Sequence, residues 1–129
     1  MNEKILIGKA GEDAAANLYL KHQFKILVRN FYNHRGKMFG EIDFIAEKNK
    51  HLHFVEIKSR TGETFGSGLE ALNKLKQLRL IRTAKLFIGS LPYFSDFQAH
   101  FDLVVVEMDR FDKSVKTIKI HSDVIDDIS

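Results

Sequence analysis

Two neighbouring runs constrain this chain more than any other feature. Gly40-Glu41-Ile42-Asp43-Phe44-Ile45-Ala46 and His51-Leu52-His53-Phe54-Val55-Glu56-Ile57-Lys58 are rich in β-branched and aromatic residues, and the polar stretch Glu47-Lys48-Asn49-Lys50 separates them. That pattern predicts a β-hairpin. With the turn centred on Asn49-Lys50, Asp43 faces Glu56 and Glu41 faces Lys58. Side chains alternate along a strand, so Asp43, Glu56 and Lys58 share one side of the sheet with Ile45, Leu52 and Phe54. Ile42, Phe44, Ala46, His53, Val55 and Ile57 take the other side. Residues directly opposite place their Cβ atoms about 4.5–5.5 Å apart. Two carboxylates at that spacing repel unless a cation lies between them.

Strands that are apolar on both sides are central strands with both faces covered. Charge there is costly unless it is paired or bound to metal. The competing reading puts Asp43, Glu56 and Lys58 at frayed strand ends as a solvated ion-pair patch. A one-residue slip of register would send Asp43 to the other face.

The other elements follow in order. Residues 2–22 read as a helix, with Leu6, Ala10, Ala14 and Leu18 as an apolar stripe. Gly8 and Gly11 weaken that helix or mark the close approach of another backbone. Glu12 shares a face with Ala15, Ala16 and Tyr19, so it is either an inward acid or a solvent-facing glutamate near the helix start. Residues 24–32 read as a strand. Ser67-Gly68-Leu69-Glu70 has the capping-box pattern and predicts a second helix to about Ile88, with Leu69, Leu72, Leu80, Ala84 and Phe87 on one stripe. Lys76 falls inside that stripe, where a lysine either snorkels outward or meets an anion.

His100 to Glu107 reads as a buried strand. The strand–helix–strand unit before it has the length of a right-handed crossover between parallel strands. Val115 to Ile120 is expected as an edge strand guarded by lysines. The fold class expected is α/β, with one domain over residues 1–121 and a C-terminal tail over 122–129 that is a short helix or disordered.

Composition narrows the function. The 129 residues carry a net charge of +3, contain no cysteine and have a pI near 9.1. Thiolate metal sites and disulfides are excluded, which fits a reducing cytoplasm. No stretch approaches the ~18 apolar residues of a membrane span, and no secretory signal is visible. The mild basic excess is compatible with a polyanionic partner. A divalent cation needs hard oxygen ligands, and Asp43, Glu56 and the backbone carbonyl of Ile57 are the natural set, with Glu12 added if it points inward. Lys58 would orient or activate an attacking water and steady developing negative charge. Lys76, Arg60, Arg35 and Lys37 are candidates for phosphate contacts.

Asp43 followed by Glu56-Ile57-Lys58 resembles the D…(D/E)-x-K signature of the restriction-endonuclease-like nucleases. From Gly8 to about Val106 the chain also resembles the YraN-type family of uncharacterised bacterial proteins. That likeness rests on Gly8-Lys9-Ala10-Gly11-Glu12, Arg29-Asn30, Gly40-Glu41-Ile42-Asp43, Val55-Glu56-Ile57-Lys58-Ser59-Arg60, Glu70-Ala71 with Lys76, and Phe101-Asp102. The resemblance implies a restriction-endonuclease-like αβββαβ core, a central mixed sheet flanked by helices, related to archaeal Holliday-junction resolvases. It implies that Glu12, Asp43 and Glu56 correspond to acidic metal ligands and Lys58 to the catalytic lysine. The broad signature often has proline where Ile42 stands, a position that ligates nothing.

The leading expectation is a Mg2+- or Mn2+-dependent endonuclease acting on DNA, including branched or otherwise structured DNA. Resolvase-like relatives often work as dimers, so a homodimer is the assembly the resemblance suggests. The alternatives are a non-catalytic nucleic-acid-binding module on the same scaffold, or an interaction domain in which the trio is only an ion-pair cluster. His51-x-His53 puts two imidazoles on the face away from Glu56 with no evident third ligand. Gly62, Gly66 and Gly68 do not form a P-loop, since no Gly-Lys-Ser/Thr follows.

Overall fold

The computed structural model describes residues 2–32, 36, 40–62 and 66–125. Arg35 and Lys37 lie outside them. The elements are α1 (Glu3–Lys21), β1 (Lys25–Tyr32), β2 (Glu41–Lys48), β3 (His51–Thr61), α2 (Lys74–Ile88), β4 (Gln98–Met108) and β5 (Val115–His121). The sheet order is β1-β2-β3-β4-β5, with β3 and β4 parallel and the other pairs antiparallel. This is the expected mixed α/β architecture, an αβββαβ order with one further edge strand.

The hairpin has the predicted register from Lys48 opposite His51 to Phe44 opposite Val55, but the ladder stops there, so the expected pairs Asp43–Glu56 and Glu41–Lys58 do not form. Asn49 and Lys50 have φ of 51° and 63°. Positive φ at both central residues gives a two-residue turn whose twist matches the strands it joins.

Two apolar layers cover the sheet. On one side α1 packs through Ala15, Ala16 and Tyr19 onto Phe44, Val55, Val104, Val106 and Met108. Small side chains let the helix sit low, and at Gly11 it touches β3: a Cβ there would lie 1.9 Å from Ser59 Oγ. The close approach suggested by glycine in a helix is therefore real at Gly11, whereas nothing lies within 4 Å at Gly8. On the other side α2 packs Leu80 and Ala84 onto Ile42, Ile45, Leu52, Phe54, Leu103 and Val105.

Four expectations need correction. The second helix begins at Lys74, capped by the Asn73 side chain, and the Ser67–Glu70 pattern yields only a 3-10 turn at Leu69–Ala71. Ser67 Oγ accepts from Leu69 N, and Glu70 folds back onto Gly68 N. Leu72, at ψ 71°, then breaks helical geometry before Asn73 restarts it. Leu69 is consequently exposed rather than on the buried stripe. Ile42 joins the α2-side core, not the side of Phe44. Just before that strand stands Gly40, φ 131°, where a Cβ would lie 2.8 Å from the Arg79 carbonyl oxygen, so the strand entry leans on α2. Finally, residues 122–125 form no helix. Val124 N bonds the Phe101 carbonyl and Ile125 is buried in the core.

Candidate active site

The site forms where the sheet forks. β2 stays paired with β1 down to Glu41–Tyr32, and β3 stays paired with β4 up to Thr61–Met108. The β2–β3 pairing ends at Phe44–Val55. Asp43 reaches across the opening and accepts the Ile57 backbone N–H through Oδ2 at 2.7 Å. A side chain thus satisfies a backbone donor that the interrupted ladder leaves over. Glu56, the next residue after Val55, lies on the α2 side of the same opening.

Lys76 meets an anion. Its Nζ is 3.0 Å from Glu56 Oε1, and the Glu56 side chain is only 15% exposed. The other oxygen, Oε2, is buried without a hydrogen-bond partner. Burial and the neighbouring charge of Glu56 push the Asp43 carboxyl up to about 8, against a smaller lowering effect of the Ile57 N–H. Burial also raises Glu56, and Lys76 offsets part of that rise. Glu12 and Glu41 add negative charge to both carboxyls. Four acids from α1, β2 and β3 therefore act on one another at the fork. Glu41 is the member that sequence reasoning paired with Lys58 instead.

Lys58 is exposed and lies two residues beyond Glu56 on the same side of β3. Arg60 is held otherwise: its Nη2 is 2.9 Å from Glu107 Oε1 and 2.9 Å from the Gly66 carbonyl, on a side chain 13% exposed. Beside Lys76, a cleft of about 330 Å³ is lined by Gly40, Glu41, Asn73, Leu75, Arg79 and Leu80.

Among the described residues, no three histidine or acidic side chains are gathered closely enough to hold a metal ion by themselves. The donor set nonetheless fits a hard divalent cation. Two largely buried carboxyls repel, one of their oxygens lacks a partner, and a magnesium ion is ordinarily held by one or two carboxylates while keeping several waters.

The signature of the uncharacterised protein family UPF0102 matches residues 11–112, a span that holds the whole fork. The chain belongs to this family. A UPF0102 protein of Fusobacterium nucleatum is 39% identical over 106 residues, covering 82% of this chain and 85% of that relative. A UPF0102 protein of Acinetobacter baylyi is 33% identical over 113 residues, 88% of this chain and 76% of its own. Another, of Clostridium botulinum, is 37% identical over 115 residues, with 88% and 90% covered. No helix among the described residues of this UPF0102 member is long and apolar enough to cross a membrane.

Proposed function

We propose that this protein is a metal-dependent endonuclease that hydrolyses phosphodiester bonds of DNA, branched or structured DNA included, with Mg2+ or Mn2+ as cofactor. The observation that carries the reading is the pair of largely buried carboxyls at the fork, Asp43 and Glu56, with Glu56 Oε2 unpartnered. Asp43 caps the Ile57 N–H and Lys76 meets Glu56 Oε1, but the two carboxyls still repel each other, and a divalent cation between them would relieve that repulsion. Asp43, Glu56 and the Ile57 carbonyl would hold the ion, with Glu12 adding a ligand directly or through water. When bound, the ion supplies positive charge against a scissile phosphate and acidifies water.

The chain's own groups do the remaining work. Lys58 orients the attacking water and steadies charge developing on the phosphate. Lys76 holds Glu56 Oε1 and, with Arg79, presents cations to the phosphate backbone from the adjoining cleft. Lys74, Arg82 and Lys85 make α2 wholly basic, since it carries no acid. An acidic centre beside a basic helix suits a polyanionic substrate.

Duplex, single-stranded and four-way-junction DNA incubated with the protein in magnesium or manganese test this. Cleavage is expected, and Glu56→Gln and Lys58→Ala should each abolish it. Cleavage that survives either substitution comes from a contaminant and refutes the assignment. The ion pair Lys76–Glu56 favours one second reading, a nucleic-acid-binding module without turnover in which lysine permanently fills the cation's place. That reading expects salt-dependent DNA binding and no cleavage in any metal.

A further inference from the structure

A second set of polar side chains lies under the far end of α1, seven residues beyond Glu12 and so about 10 Å along the helix. Tyr19 donates its hydroxyl to Asp102 Oδ2 at 2.7 Å, and His53 Nδ1 meets the same oxygen at 2.7 Å. Asp102 is 3% exposed. Burial, with the charge of Asp102 added, raises the Tyr19 phenol, which stays protonated. A carboxylate can only accept, so the proton of a neutral His53 sits on Nδ1 and Nε2 is left as an acceptor. His100 stacks on His53 with ring centres 4.5 Å apart and is itself held by Asp123 at 2.7 Å, so the imidazole has little freedom to turn.

His53 opens onto a cleft of about 260 Å³ whose other walls are Tyr19, His22, Phe24, Asp102, Ile120 and Ser122, with the Asp102 carboxylate taken up by Tyr19 and His53. That volume is just under the ~300 Å³ at which ordinary ligand pockets begin, so it suits a ring system rather than an extended molecule. Phe24 packs edge-on against Tyr19 and His53, with ring centres 5.0 and 4.9 Å away, making one wall aromatic. Lys48 lies beside two of these walls: Nζ donates to the His22 carbonyl at 2.8 Å and sits over the Phe24 ring, 5.4 Å from its centre. None of these groups serves the fork.

We propose that this cleft binds a nucleotide, with the base against the aromatic wall, its edge at His53 Nε2 and Ser122, and the phosphate toward His22 and Lys48. Aromatic rings take any base by stacking. A fixed imidazole acceptor meets an exocyclic amino group, and an apolar ring there would leave that nitrogen desolvated. The Lys48 cation beside the cleft favours a base that carries a phosphate over a neutral heterocycle. A free nucleotide and an unpaired base in a strand offer the same chemistry. The inference does not require the fork to be catalytic.

Isothermal titration of the full chain with deoxyadenosine 5′-phosphate, deoxyribose 5-phosphate, a short single-stranded oligonucleotide and a duplex tests it. The nucleotide should bind and the base-less sugar phosphate should not. Tighter binding of the single strand than of the nucleotide, with the duplex weaker, identifies an unpaired base as the occupant; a preference for the nucleotide identifies the free form. Phe24→Ala should weaken nucleotide binding by about tenfold. Ile120→Glu, on the exposed edge strand and outside the core, should do the same through repulsion while leaving the melting temperature unchanged. Glu56→Gln should leave nucleotide affinity untouched, which separates this site from the proposed nuclease centre. No nucleotide binding, equal binding of the sugar phosphate, or unchanged affinity in Ile120→Glu overturns the proposal.

Discussion

Replacing Asp43 with asparagine should make the protein more stable at pH 8 while destroying the proposed centre. The substitution keeps an oxygen for the Ile57 N–H and removes a charge that faces Glu56. Asp43 rises from 3.8 to about 8 on folding. Below about pH 4 both folded and unfolded chains hold its proton. Between about 4 and 8 only the folded chain does, so unfolding releases a proton and stability falls as pH rises. Above 8 the loss is complete. Four units borne by Asp43 alone would amount to about 5–6 kcal/mol. The strain is shared with Glu56, so about half, roughly 2–3 kcal/mol or about 10 °C in melting temperature, is the expected size. Thermal unfolding followed by circular dichroism in EDTA from pH 4.5 to 9 reads this directly. Wild type and Asp43→Asn should melt together at pH 4.5 and diverge toward pH 8, with the variant higher. Magnesium or manganese should then raise wild type at pH 8 and not the variant. A flat wild-type profile between pH 5 and 8, or a variant that melts lower at pH 8, refutes the electrostatic account of the fork.

Three further outcomes follow from the packing and pairing. Lys76→Met leaves Glu56 without its cation; because the lysine is 42% exposed, the cost should be only about 1 kcal/mol at pH 8, fading as Glu56 protonates in acid, measured by urea unfolding at both pH values. Gly11→Ala drives a Cβ into Ser59 Oγ and should cost about 1–3 kcal/mol, most of it recovered when Ser59→Ala is added, a coupling that a double-mutant cycle measures. Tyr19→Phe removes a donor from buried Asp102 and should cost about 1–2 kcal/mol in the same unfolding assay.

Much of the fold was legible because local signals agreed. The hairpin register followed from alternation on both arms and a two-residue turn, and the parallel β3–β4 pairing from the length of the crossover between them. Lys76 inside an apolar stripe left two outcomes open, snorkelling or an anion, and the half-exposed side chain meets Glu56. The fork was not legible, because where a ladder stops depends on which neighbour each strand keeps. Nothing in Gly40-Glu41-Ile42-Asp43 says that β2 will follow β1 while β3 follows β4. Ile42 changes side for that reason. The helix start was misplaced because a capping pattern at Ser67 preceded a second stop-and-start signal at Leu72-Asn73, and asparagine before Lys74 was the better cap. The imidazole network was half visible: His51-x-His53 stands out, but the partner His100 lies 49 residues from His51.

The tight turn at Asn49–Lys50 acts as a ruler for the chemistry beyond it. Asp43 stands six residues before Asn49 and Glu56 six after Lys50, so the two acids reach the fork together only because both arms are counted from one corner. A residue inserted into either arm between corner and fork would present one carboxyl a step early and rotate it away from the other. Extra length is tolerable only at the corner itself, and selection on spacing should therefore act on those twelve intervening steps more strictly than on the side chains that fill them.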